Sequence, residues 1–237
     1  MKETVDLGGG YILHQPKGVY PCGTDSVLLS AFAAENGKGS RFADLCTGSG
    51  IIPLLICKRR PDVSVFAVEL SKLAAQTAKE NMETNSLSKR VEIACSDVCQ
   101  IRDLAAEASF DCVTVNPPYV KAGAGIPPKG EGMLLATQEI RCTARDIIDA
   151  AAYLLKSGGS MFMIHRTERK EEILSLLEEN GMKAVLIRDV LARIDAKARV
   201  FLLHAVKKSG DVSCEQKPLI MYENGAYTEE VARIYGK

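Results

Sequence analysis

This chain carries no net charge: 30 Lys and Arg stand against 30 Asp and Glu in 237 residues. That balance speaks against a nucleic-acid binder that works by bulk positive charge. No apolar run approaches the roughly 18 residues of a membrane-spanning helix, and Met1-Lys2-Glu3-Thr4 lacks the apolar stretch of a signal peptide. The expected protein is therefore soluble and cytoplasmic, with no membrane partner. There are only three His, and the eight Cys contain no Cys-x-x-Cys, the closest pair being Cys95 and Cys99. Cys57 and Cys112 sit inside apolar runs, as buried reduced thiols do, so neither a disulfide framework nor a metal site is expected. No internal repeat or low-complexity tract interrupts the chain.

What is present is the composition of an ordered domain. A 46% hydrophobic and 25% charged chain of this length excludes wholesale disorder and fits one large core. Short β-rich runs alternate with helical patterns. Strands are expected at Arg41–Leu45, Val63–Leu70, Val91–Ala94, Phe110–Val115, Ser160–His165, Lys183–Val190 and Arg199–Val206. Helices are expected from about Ile51 to Lys58, Leu73 to Asn85 capped by Ser71, Thr143 to Leu155 and Glu168 to Asn180, the last ended by Gly181. A turn is expected at Ser157-Gly158-Gly159, and Asn224-Gly225 suits a small hairpin. Alternation of this kind implies a doubly wound α/β fold with a mostly parallel sheet. The last two strands follow one another without a helix, which implies one antiparallel strand.

Chemistry concentrates after three of these strands. Asp44-Leu45-Cys46-Thr47-Gly48-Ser49-Gly50 follows the first strand and opens a helix, so its glycines let a ligand approach the backbone at the carboxyl edge of the sheet. Glu69, ending the second strand, stands where an acid accepts hydrogen bonds from a ribose. The pattern Gly48-x-Gly50-x-x-Pro53 lacks the third glycine of a dinucleotide fingerprint, so it indicates a nucleotide-like ligand without naming it. Asp97 follows the third strand; it either faces the same crevice or caps the next helix. Asn116-Pro117-Pro118-Tyr119 runs directly off the fourth strand, and such a tetrapeptide arises by chance in about one chain in a thousand. The two prolines fix where the Asn116 amide and the Pro117 carbonyl point, two acceptors suited to a planar NH2 group. Tyr119 adds an aromatic face for a base.

With these residues the chain resembles the class I S-adenosylmethionine-dependent methyltransferases that act on exocyclic or amide nitrogens. Within them it is most similar to the bacterial family that N6-methylates the adenosine next to the anticodon of tRNA(Val). The resemblance rests on Gly23 to Leu29, DLCTGSG at 44–50, NPPYVKAG at 116–123 and the stretch from Gln138-Glu139-Ile140 to Arg166. Many relatives have His-Glu where this chain has Gln138-Glu139. The resemblance implies a Rossmann-like, seven-stranded, mostly parallel sheet with one antiparallel strand and helices on both faces. It implies a single domain over 1–237, with a cofactor-closing segment at 1–40, a core at 41–208 and a tail at 209–237. The cofactor would be S-adenosylmethionine, leaving as S-adenosylhomocysteine, held by Asp44, Cys46, Thr47, Gly48, Gly50, Glu69, Leu70, Asp97, Val98 and Asn116. Thr24 and Asp25 would close the site, unless they merely cap the helix Ser26–Ala34. Asn116, Pro117 and Tyr119 would carry catalysis.

A tRNA partner gives new weight to the window Arg188 to Lys208, where six basic residues stand against Asp189 and Asp195. RNA contacts are expected from Lys121, Lys129, Arg166, Arg169, Lys197 and Arg199. Three alternatives stay open on sequence: methylation of a glutamine amide in a protein, methylation of rRNA or DNA, and a nucleotide-binding module without catalysis.

Overall fold

A computed structural model of the chain describes residues 2–19, 21–121, 138–139, 142–208 and 214–236. The chain opens with a hairpin, β1 (Lys2–Asp6) and β2 (Ile12–Pro16). It continues through α1 (Thr24–Asn36), β3 (Arg41–Leu45), α2 (Ile51–Arg59), β4 (Ser64–Glu69), α3 (Lys72–Thr84), β5 (Val91–Cys95) and the short α4 (Ile101–Leu104). Next come β6 (Phe110–Val115), β7 (Val120–Lys121), β8 (Gln138–Glu139), α5 (Ala144–Leu154), β9 (Leu155–Arg166), α6 (Lys170–Glu179), β10 (Met182–Leu191) and β11 (Val200–Lys207). The tail adds β12 (Cys214–Glu215), β13 (Leu219–Ile220), a hairpin of β14 (Tyr222–Glu223) and β15 (Ala226–Tyr227), and α7 (Glu229–Ile234).

The central sheet runs β10-β11-β9-β6-β3-β4-β5, the seven expected strands. Of these, β11 alone is antiparallel, pairing with β9 on one side and β10 on the other. The tail extends the sheet beyond the expected seven: β12 and β13 pair in parallel with β10. The central strands read as continuous apolar runs because helices cover both faces. Alternation along β9 shows it: Phe162 and Ile164 pack with Leu29, Phe32, Leu54 and Ile56 of α1 and α2. Met161 and Met163 pack on the other side with Ile147, Ile148, Leu176 and Leu177 of α5 and α6.

Two caps match their sequence signals. Ser71 accepts from the Ala74 amide, and Thr143 with Asp146 forms a capping box at α5. The turn expected at Ser157-Gly158-Gly159 lies instead inside β9. The pairing of β9 with β6 shifts register between Phe110 and Cys112, and Gly158 takes φ +78° within that irregularity. At Asn224-Gly225 both residues have positive φ, as a two-residue hairpin turn demands.

The N-terminal hairpin has no counterpart in the sequence reading, and its attachment explains why. Asn81 on α3 and Asn85 at its C-cap, one turn apart, act as a substitute strand edge. Asn85 Oδ1 accepts from the Ile12 amide at 2.8 Å and its Nδ2 donates to the Ile12 carbonyl at 2.7 Å. Asn81 treats His14 the same way, at 2.8 and 3.1 Å, and also donates to the Ser49 carbonyl at 2.9 Å. Asn81 is fully buried, so one amide ties the hairpin, α3 and the glycine turn together. Asn81→Ala is expected to cost about 2–4 kcal/mol, since it leaves buried partners unpaired. A loss below about 1 kcal/mol in urea denaturation would contradict that role.

Candidate active site at the carboxyl edge of the sheet

The order of strands reverses between β3 and β6, and a crevice opens beyond their carboxyl ends. A cavity of about 430 Å3 occupies it, within the usual range for small-molecule sites. The segments that follow β3, β4, β5 and β6 and the last residue of β9 all reach its wall, and residues 18, 19 and 21–26, which lead into and open α1, close one side.

After β3 the backbone turns sharply. Cys46, Gly48 and Gly50 all have positive φ, 63°, 58° and 81°. At Gly50 a Cβ would press on Met82 and Ala78 of α3 at 3.0 and 3.1 Å, so this glycine permits helix packing. At Gly48 a Cβ would meet nothing within 4 Å, which marks an empty cradle on the cavity wall. Glu69 fixes that turn: its Oε2 accepts from the Gly48 amide and its Oε1 from the Ser71 amide, both at 2.8 Å. Burial raises the Glu69 carboxyl, opposed by the hydrogen bonds from Ser71 and Gly48. Leu70, Asp97 and Val98 line the same wall. Asp97 satisfies both of its sequence readings, since it lines the cavity while its Oδ1 accepts from the Cys99 amide at 2.9 Å.

Asp44 lies beneath the cavity and is fully buried, rather than on the lining. Its Oδ1 accepts from the Thr114 hydroxyl at 2.6 Å, and the Thr47 hydroxyl stands by the same carboxylate. Burial pushes this carboxyl up to about 7, with the Thr114 hydrogen bond pulling it down. An unfolded Asp ionises near 4. Between these values the folded chain holds a proton that the unfolded chain has lost. The group's stabilising contribution is thus complete below about pH 4 and is lost as the pH rises through about 7. Two other groups act in the opposite sense. Burial lowers His165 and His204 to about 4, so their contribution is lost as the pH falls from about 6.5 toward that value. The difference between wild type and Asp44→Asn isolates the carboxyl. It is expected to shift in the variant's favour by ~1 kcal/mol per unit between about pH 5 and 7. Parallel stability curves would contradict the assignment.

Asn116, Pro117, Pro118 and Tyr119 form the wall opposite the glycine turn. Asn116 Nδ2 donates to Ser26 Oγ at 3.0 Å. The Tyr119 hydroxyl lies 2.7 Å from both Asn116 Oδ1 and Asp25 Oδ2. A phenol has one proton, so it serves these two acceptors in turn or shares it between them. The Tyr119 ring packs against the buried His165 ring at 5.2 Å, and the Arg166 guanidinium stands 5.8 Å from its centroid. Capping by Thr24 or Asp25 is not found. Helix α1 begins at Thr24, its N-cap is Gly23 without a side-chain hydrogen bond, and Asp25 turns to Tyr119 instead. The sequence reading missed Ser26 and Cys142. Both line the cavity; Ser26 lies in the Gly23 to Leu29 stretch and Cys142 in the stretch from Gln138 to Arg166, but neither was given a role. The Cys142 thiol and burial hold the Cys46 thiol well above its ordinary value, so Cys46 is not a ready thiolate nucleophile.

The basic residues divide. Arg166 lines the cavity. Lys197 and Arg199 are exposed on the loop joining β10 to β11. Pairing of Val200 with Arg166, and the bond from the Thr167 amide to the Arg199 carbonyl at 3.1 Å, set that loop beside the cavity mouth. Arg169 is only 9% exposed and pairs with Glu172 at 2.7 Å, which removes it from any surface offered to RNA. Within the basic window, Arg188 makes a two-pronged pair with Glu230 at 2.6 and 2.8 Å. Lys207 donates to the Ala152 and Leu155 carbonyls. Lys129 falls outside the described residues. Lys121 enters β7, which pairs in parallel with β8 at Gln138 and Glu139. Among the described residues no group of three His, Cys, Asp or Glu is placed to hold a metal ion, and no helix is long and apolar enough to cross a membrane.

Comparison with known proteins agrees with this geometry. Residues 16–188 match the family model described as the methyltransferase small domain. The tRNA1(Val) (adenine(37)-N6)-methyltransferase of Histophilus somni is 29% identical over 220 residues, 92% of this chain and 89% of that protein. The enzyme of the same name from Porphyromonas gingivalis is 31% identical over 156 residues, 64% of this chain and 60% of that one. Among solved structures, a predicted O-methyltransferase from Agrobacterium tumefaciens superposes with TM-score 0.72 at 24% identity, covering 90% of this chain and 96% of that chain. A 16S rRNA methyltransferase from T. thermophilus, solved with AdoMet and guanosine, gives 0.62 at 23% identity, covering 87% of this chain and 50% of that chain.

Proposed function

We propose, from the premise that the chain belongs to the methyltransferase small domain family, that it methylates the N6 amine of an adenosine in tRNA, next to the anticodon of tRNA(Val). The chain is an S-adenosylmethionine-dependent methyltransferase. Its cavity suits that cofactor: an open cradle at Gly48, a carboxylate at Glu69 and another at Asp97, with the Thr47 side chain on the same wall. When bound, the cofactor supplies an electrophilic methyl group on a positive sulfonium. Gly48 and Gly50 would let it approach the backbone, with Cys46 and Thr47 beside them. Glu69 would take its ribose hydroxyls, Asp97 its adenine amine, and Leu70 and Val98 the ring faces. Thr24 and Asp25 would close the site over it.

One observation carries the substrate assignment. The Asn116 amide stands at the carboxyl end of β6, held by Ser26 and Tyr119, with two prolines fixing the backbone behind it. An exocyclic amine is a poor nucleophile because its lone pair is delocalised into the ring. Asn116 Oδ1 and the Pro117 carbonyl would accept its two N–H bonds, orient it and favour a less planar nitrogen. Tyr119 would stack on the base, which must leave its own stack to arrive. Positioning and preorganised dipoles would supply most of the acceleration. The nitrogen turns acidic once methylated and would release its proton to solvent as the sulfonium leaves as a neutral thioether, so no strong base is required.

Arg166, Lys121, Lys197 and Arg199 would hold RNA phosphates around this mouth, giving modest and salt-sensitive binding in the cytoplasm. Charge reversal of Lys197 and Arg199 to Glu is expected to weaken tRNA binding about tenfold or more near 0.1 M salt, with cofactor affinity unchanged. Unaltered tRNA affinity would remove that assignment. The substrate is tested by incubating the protein with labelled cofactor and unmodified tRNA, rRNA, DNA or a release factor. N6-methyladenosine in the tRNA is expected. Label on protein and none on nucleic acid would overturn the reading in favour of a glutamine amide.

A further inference from the structure

We infer that the β10–β11 loop and the tail hairpin form a base-stacking platform for the RNA that flanks the target nucleotide, with Ile194 and Tyr222 as its posts. The inference rests on the proposal that the substrate is RNA, and it adds a second contact area outside the cavity. Ile194 is 74% exposed, and Tyr222 is 43% exposed. Exposed apolar side chains scattered singly need no explanation, but these two stand on segments that are hydrogen-bonded to each other. The Tyr222 amide donates to the Ala192 carbonyl at 3.0 Å, and Met221 bonds likewise to Leu191, so the tail is clamped to the root of the loop that carries Ile194.

Tyr222 is also held rigidly. It stacks on Tyr227 at 5.1 Å and 22°, and Tyr227 stacks on Tyr235 at 5.0 Å and 12°. Three rings in register form a ladder whose outer member faces solvent. A rigid exposed ring loses little conformational freedom when a base stacks on it, and such stacking contributes about 1–3 kcal/mol per base.

Charge selects the partner. The loop carries Arg193, Lys197 and Arg199 against Asp195 alone. Arg193 and Asp195 pair at 3.3 Å with both side chains 70% exposed, an arrangement weak enough for a phosphate to displace. Glu223 beside Tyr222 is exposed and acidic, so the phosphate grip belongs to the loop and Tyr222 offers a ring rather than a charge. Glu230, nearby, is neutralised by Arg188. The strip is continuous with the catalytic mouth: Arg199 precedes Val200, which pairs with Arg166, and Arg166 stands over Tyr119. Cations thus run from the Tyr119 wall of the cavity along the loop toward Tyr222, which fits unstacked bases and their phosphates.

The test compares the double variant Ile194→Ser with Tyr222→Leu against wild type. Both positions are exposed, so the fold and cofactor affinity are expected to stay as they are. Affinity for unmodified tRNA should fall about tenfold or more, at a salt slope unchanged from wild type, because stacking rather than charge is lost. Methylation of a short adenosine-containing oligonucleotide that spans only the cavity should proceed at the wild-type rate. If tRNA is methylated and the double variant binds it like wild type, the platform is wrong and the RNA reading stands. If neither tRNA nor the oligonucleotide is methylated by wild type, the RNA reading itself fails.

Discussion

Asn116→Ala is expected to slow methyl transfer by ~10²–10³-fold, the usual consequence of removing one preorganised dipole from a reacting centre. The loss should appear in kcat far more than in cofactor affinity. Val115 before it is fully buried in β6, and Pro117 and Pro118 after it restrict the backbone, so the chain on either side holds its place when the amide is removed. The substitution has a second effect, because the Tyr119 hydroxyl and Ser26 each lose a partner. The phenol still has Asp25 at 2.7 Å, so the wall should keep its shape. Asn116→Asp, which retains an acceptor, is expected to fall between wild type and the alanine variant. Single-turnover rates with saturating cofactor measure all three. Methyl transfer by the alanine variant at the wild-type rate would show that Asn116 does not receive the amine.

Gly48→Val should raise the dissociation constant for S-adenosylmethionine by about 100-fold or more, because the new side chain fills the space in which a ligand would lie. The argument is steric: a Cβ at Gly48 faces open cavity, and a branched side chain extends further into it. A backbone cost comes with it. At φ +58° a β-branched residue is strained by roughly 1–2 kcal/mol, which thermal unfolding should register. Gly48→Ala separates the two effects, since it brings most of the strain and little of the bulk. Calorimetric titration that finds both variants binding like wild type would move the cofactor away from this turn. Gly50 offers a contrast, because there the neighbours are Met82 and Ala78 of α3, and substitution should damage packing rather than the cradle alone.

Much of this arrangement was legible in the sequence. The strands at Arg41–Leu45 and Phe110–Val115 have the bounds that their apolar runs give, and the antiparallel β11 follows from two strands with no helix between them. The glycine turn and the Asn-Pro-Pro-Tyr segment lie on one cavity because both leave parallel strands at the same edge. Signals of this kind are local. Period, caps and turn residues act within a dozen positions, and parallel topology then brings successive strand ends together.

Other features depended on partners far away in the chain. Asp25 stood open between closing the site and capping the first helix, and its carboxylate accepts from Tyr119 across 94 positions. Asn81 and Asn85 carried no signal in the sequence reading, yet they pair with a hairpin 67 and 73 positions earlier. Arg169 looked like an RNA contact and is spent on Glu172, while Arg188 is spent on Glu230 across 42 positions. The zero net charge of the whole chain was therefore a poor guide to its partners. The sequence by itself determined the order of elements and the sheet edge at which the cavity opens, since these follow from local propensity and strand direction. Which cations remain free, which amides support the hairpin and which proton Tyr119 shares were decided by tertiary packing alone, because long-range neighbours compete for the same hydrogen bonds and charges.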